Sequence, residues 1–215
     1  MKEIQLKRVN VTLVYDDLTS SFISHDKIKK AYSNAQINDG PENIVIVNFD
    51  SQKDGFLYQA NYDERRLYMN AHVDKKIENI SDLPINYMAE KIEILHKAIE
   101  GKKQLVAYGF NFDGIGDLEE GTSSKKFKDN FMKNVDELEN KTGGEVCKVA
   151  PKFTLDFGEY IFNISLNPGD ETNSTFKVHL NSHFETESLP SKEKLAKKIE
   201  KYYNENIKNL NELVN

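Results

Sequence analysis

The sequence predicts an α+β fold made of two similar halves, each β-α-β-β-β-α, with a mostly antiparallel sheet and long helices packed on it. Three observations carry this. Residues 69–74 read Met-Asn-Ala-His-Val-Asp and residues 180–185 read Leu-Asn-Ser-His-Phe-Glu, so every position matches in chemical type. Each hexapeptide is followed by Leu-Pro (Leu83-Pro84 and Leu189-Pro190) and then by a helical apolar stripe. The order of apolar periodicities before each hexapeptide is also the same. These features read as an internal duplication, with a first half over 1–101 and a second over 102–215. The seam near Gly101 has no Pro- or Ser-rich linker, so one fused unit is expected.

In the first half, Ile4, Leu6, Val9, Val11, Leu13 and Tyr15 mark a strand over 3–15. Residues 24–36 read as a short helix with Ser24 as N-cap. Asp39-Gly40-Pro41 breaks the chain. Strands are expected at 44–49, 56–61 and 66–73, joined by links of turn composition as antiparallel hairpins. Met88, Ile92, Leu95 and Ile99 then stripe a helix over 84–100, which Gly101 ends.

The second half begins with a strand over 104–112 and a loop rich in Gly and acid, Asp113–Glu120. One helix over 124–140 follows, with Phe127, Phe131, Val135 and Leu138 on one face, stopped by Gly143-Gly144. Strands are expected at 146–157, 160–166 and 175–184, and a closing helix at 190–213 striped by Leu195, Ile199, Tyr202, Ile207, Leu210 and Val214. Such an antiparallel sheet with helices on one face is similar in layout to SecB-type chaperones. Duplicated strand-helix-strand units also occur in sliding clamps and small-molecule sensor domains. Shape of this kind does not carry function.

Composition bounds the function. Twelve Phe and ten Tyr can fill a core although only 38% of residues are hydrophobic. A net charge of −6 disfavours nucleic acid as a partner, because phosphate neutralisation needs a basic surface. The lysines that open the last helix alternate with Glu193, Glu200 and Glu205, which reads as a solvated face. The single cysteine, Cys147, excludes an intrachain disulfide and is expected to be a buried strand thiol, in keeping with a reducing cytoplasm. No secretory leader and no bilayer-spanning run stand out, so a cytoplasmic, membrane-free protein is expected.

The Asn-x-His-x-acid triplets are the sharpest chemical candidates. On a strand, Asn70, His72 and Asp74 share one face, as do Asn181, His183 and Glu185. If the halves brought these faces together, His72, Asp74, His183 and Glu185 could hold a divalent metal, or a His could serve as general base. The plainer reading is a polar strand face, with Asn70 and Asn181 as binding residues. Tyr202 and Tyr203 add aromatic area to the last helix, a candidate surface for a protein partner or for self-association. His25 and His96 read as surface or helix-edge groups, and the sequence does not fix the side of the sheet that His179 takes. Gly-x-Ser-x-Gly, His-Glu-x-x-His and Walker patterns are absent. The functional expectation is a non-enzymatic interaction or accessory factor: chaperone-like, defence-related or phage-borne. A small-molecule or metal-binding module is the alternative, and a metal-dependent enzyme using His72 and His183 a lesser one. No cofactor is expected beyond that candidate divalent metal.

Overall fold

The computed structural model describes residues 3–41, 43–49, 55–73, 77, 80–101, 103–169 and 172–214. The first half holds strand β1 (Glu3–Tyr15), helix α1 (His25–Ala31), strands β2 (Gln36–Asp39), β3 (Val45–Asn48), β4 (Phe56–Asp63) and β5 (Arg66–Val73), and helix α2 (Ile85–Ala98). The second holds β6 (Leu105–Asp117), α3 (Ser123–Phe131), α4 (Val135–Thr142), β7 (Lys152–Asp156), β8 (Ile161–Pro168), β9 (Thr175–Glu185) and α5 (Lys192–Val214). All nine strands join one antiparallel sheet in the order β2-β3-β4-β5-β1-β6-β9-β8-β7. The strands before and after Gly101 therefore meet at β1 and β6, and β1-β5-β4-β3 runs outward on one side as β6-β9-β8-β7 does on the other. The edge strand β2 has no counterpart.

Strict alternation makes one face of this sheet apolar. Val9, Val11 and Leu13 of β1, Tyr108, Phe110 and Phe112 of β6, and Val178, Leu180 and Phe184 of β9 are all buried. Helices α2 and α5 lie against each other over this face, inserting Met88, Ile92 and Leu95 from α2 and Leu195, Ile199, Tyr202 and Leu210 from α5. Each such side chain contributes about 1.5–3 kcal/mol by leaving water. No helix among the described residues is long and apolar enough to cross a membrane.

Four local expectations are corrected. Helix α1 stops at Ala31 rather than near 36, because a turn closed by Ala35 N–H on Tyr32 O leads into β2, a short strand paired with β3. The first five residues of the Gly- and acid-rich run, 113–117, are not loop but the end of β6, and only 118–120 lie outside the strand. Its glycines are there for close approach: a Cβ on Gly114 would stand 2.8 Å from Gln5 O, and one on Gly116 would stand 2.2 Å from the Phe176 ring, which lies over that backbone. The expected helix over 124–140 is broken between Phe131 and Val135. Phe127 is buried and Phe131 packs on the core, but α4 buries none of its residues. Asp136 and Glu137 in its first turn suit the positive end of a new helix. Cys147 is exposed and outside any strand, in the segment between α4 and β7.

Candidate functional site on the uncovered sheet face

Among the described residues, no helix lies on the opposite face of the sheet. The strand registers align one residue from each strand into a single row across it: Gln36, Asn48, Gln59, Asn70, Asn10, Asn111, Asn181, Asn163 and Thr154. Eight of the nine are Asn or Gln. Asparagine is poorly suited to strand interiors, so a row of them needs a reason, and their side chains supply a local one. Thr154 Oγ1 donates to Asn163 Oδ1 (2.8 Å), Asn163 Nδ2 to Asn181 Oδ1 (3.0 Å), and Asn181 Nδ2 to Asn111 Oδ1 (2.8 Å). Asn111 Nδ2 donates to Asn10 Oδ1 (2.7 Å), and Asn10 Nδ2 to Asn70 Oδ1 (2.9 Å). The five bonds run in one direction, so each amide polarises the next. Farther along, Gln59 Nε2 donates to Asn48 Oδ1 (2.9 Å) with the same sense. Thr12 Oγ1 also donates to Asn10 Oδ1 (2.6 Å). Neighbouring side chains leave Asn10 only 6% and Asn70 only 5% exposed, although no helix covers them.

The adjoining row holds a charged cluster. Arg8 Nε and Nη2 donate to Asp113 Oδ2 at 2.8 and 2.7 Å, and His179 Nδ1 lies 2.7 Å from Asp113 Oδ1. Burial alone pushes the Asp113 carboxyl up. The hydrogen bonds from His179 and Arg8, with their charge, outweigh it and hold the group below the ordinary carboxylate range. Among the described side chains, the face shows Arg8, Arg66, Lys152 and Lys177 by alternation, with Lys7 at the bulge of β1, against Asp63, Asp113, Asp117, Asp156 and Glu185, so the two signs nearly cancel.

Asn70 and Asn181 stand in the amide row, and His72 and His183 both point to the uncovered face. His72 lies in the row of Arg8, whereas His183 lies opposite Gly109 in the row of Thr12. Three strand spacings and four residues separate them, roughly 20 Å. The structure does not bring them into one coordination sphere. Asp74 lies outside the described residues. Glu185 is exposed at the end of β9. No group of three or more His, Cys, Asp or Glu that could hold a metal ion is found among the described residues. Tyr202 is a core ring, 1% exposed, packed at 4.8 Å on Phe184 and 4.6 Å on Tyr160. Tyr203 is half-buried, with its ring 5.1 Å from that of Phe112. Asn10, Asn111 and Asn163 were not singled out by sequence, although Asn10 and Asn111 each sit at the polar phase of an alternating strand.

No protein-family model matches the chain, and no curated protein matches it. Among solved structures it is similar to Methanococcus jannaschii TBP, with 14% identity, a TM-score of 0.34, and 96% of this chain and 99% of that one covered. That likeness concerns arrangement alone.

Proposed function

We propose that the protein works by binding, as a non-enzymatic interaction or accessory factor, and that the uncovered sheet face engages a protein partner. The observation that carries this reading is the amide row. Asn163 and Asn181 each donate one bond and accept one, Asn111 accepts one and donates to Asn10 and Thr12, Asn10 accepts two and donates one, and Asn70 accepts one. Each amide has two N–H groups and two lone pairs, so hydrogen-bonding capacity is left over along a straight, rigid line. Such a line suits the mixed donors and acceptors of a polypeptide. The near cancellation of charge on the face, and the net charge of −6, favour a polypeptide over a polyanion.

The reading is tested with a photo-crosslinking amino acid placed at His183 on this face and, separately, at Lys208 on α5, away from it. A polypeptide adduct is expected from position 183, competed by unlabelled protein and absent from position 208. Adducts only from 208, or an adduct with nucleic acid from 183, contradict the proposal. An adduct with a second copy identifies self-association as the mode of binding.

A further inference from the structure

At one end of the uncovered face, two depressions adjoin through a shared wall of Ile115, Asn167 and Lys177. The first, about 360 Å³, also reaches Lys7, Ser165 and His179; the second, about 580 Å³, extends beneath the segment carrying Cys147 and Lys148. These volumes suit a small organic ligand. Their chemistry is unlike that of the protein as a whole. In a chain with a net charge of −6, three lysines from three separate segments line these depressions: Lys7 at the bulge of β1 in the first, Lys148 before β7 in the second, and Lys177 of β9 in both. None of the three makes an ion pair among the described residues. Among the described residues the one carboxylate in the lining, Asp113, is paired with Arg8 at 2.7 Å and His179 at 2.7 Å. The described lining therefore carries more positive than negative groups, while Ile115 and Pro168 give the walls apolar area.

We infer that this cleft is a binding site for a small amphiphilic acid, with an anionic head held by Lys177, Lys7 and Lys148 and an apolar body laid along Ile115 and Pro168. The inference is independent of the amide row, which lies two residues away along β6 and β9. Ammonium groups that make no ion pair among the described residues are available for a charge-assisted contact, and Asn167 and Ser165 can supply neutral hydrogen bonds beside them.

Cys147 makes the site measurable. It is the protein's single cysteine, it is exposed, and it lines the second depression. Alkylation by iodoacetamide, followed by mass spectrometry of the intact chain, therefore reads occupancy at one atom. With octanoate as probe, alkylation is expected to slow in a saturable way, whereas octanol and inorganic phosphate at the same concentrations leave the rate unchanged. In Lys177→Gln the midpoint of octanoate protection should rise about tenfold, the equivalent of one charge-assisted hydrogen bond. In Lys141→Gln, whose lysine pairs with Glu137 on α4, it should not move. The inference is overturned if millimolar octanoate gives no protection, if octanol or phosphate protects equally, or if Lys177→Gln shows the wild-type midpoint. A fall in melting temperature of Lys177→Gln would be read from the same samples by circular dichroism. Because Lys177 is exposed, no such fall is expected.

Discussion

Asn10 and Asn111 stand directly opposite each other on β1 and β6, and Asn111 Nδ2 donates to Asn10 Oδ1 at 2.7 Å. This bond crosses the junction of the two halves and links the relays on either side. Removing Asn10 leaves the Asn70 oxygen without the donor it receives from Asn10, in a residue only 5% exposed. Asn10→Ala is expected to lose about 1–3 kcal/mol by urea unfolding. Asn111→Ala should lose less, because Asn111 is only half-buried. The two losses should not add: a double-mutant cycle should give a coupling of at least about 0.5 kcal/mol. Additive losses would show that the row is not a connected network.

The close approach of Phe176 to Gly116 predicts a second outcome. Gly116→Ala places a methyl inside the ring's space, 2.2 Å from its Cζ, and is expected to destabilise by about 1–3 kcal/mol. Phe176→Leu in the same chain should recover part of that loss. Full tolerance of the alanine would show that the Phe176 ring can move out of that space.

Inside the core, Ser182 of β9 and Asn206 of α5 are both fully buried and bond to each other, with Asn206 Nδ2 on Ser182 Oγ at 3.0 Å. Ser182→Ala strands a buried amide and should cost about 1–3 kcal/mol, measured as a shift of the unfolding midpoint. Replacing both partners, Ser182→Ala with Asn206→Leu, should be closer to wild type than Ser182→Ala alone. The reverse order would show that the pair is held by other groups.

The acid side of the stability profile should be set first by His96. Its Nδ1 lies 2.7 Å from Tyr15 Oη. Burial, and then the charges of Lys103 and Lys97, lower it to about 4, against the opposing pull of Glu93. The unfolded chain takes up the proton near pH 6.5 and the folded chain resists it. Stability is therefore fully present above about pH 6.5 and declines as pH falls toward 4. Partial exposure screens the effect to the order of 1–2 kcal/mol. Asp113, whose carboxyl is lowered, adds stability above the ordinary carboxylate range and loses it only at lower pH. His96→Gln should flatten the melting-temperature profile between pH 6.5 and 4. An unchanged slope would assign the loss to other groups.

Alternation made the strands legible. The expected strand over 66–73 coincides with β5, and the apolar stripes located α2 and α5 to within a few residues. Where local chemistry and long-range contact disagreed, the sequence misled. Gly114 and Gly116 look like a loop until Gln5 and Phe176 are seen to occupy the space of their missing side chains. Val135 and Leu138 extend the stripe of α3 on paper, yet a separate helix carries them away from the core. The repeated Asn-x-His pointed at the right face through Asn70 and Asn181. It could not reveal the amide row, because register between strand residues 60, 70 or 101 positions apart is not written in any one segment. His179 was unassigned for the same reason: its partner, Asp113, comes from β6.

The amide row is proposed to form part of a binding surface. Its most direct test is a titration of the partner identified by crosslinking against wild-type protein and against Asn111→Ser with Asn181→Ser. Both positions are half-buried, and serine shortens the row while keeping it polar. The account predicts that affinity falls at least about tenfold while the melting temperature changes by only a few degrees. Unchanged affinity in a folded double variant would contradict it.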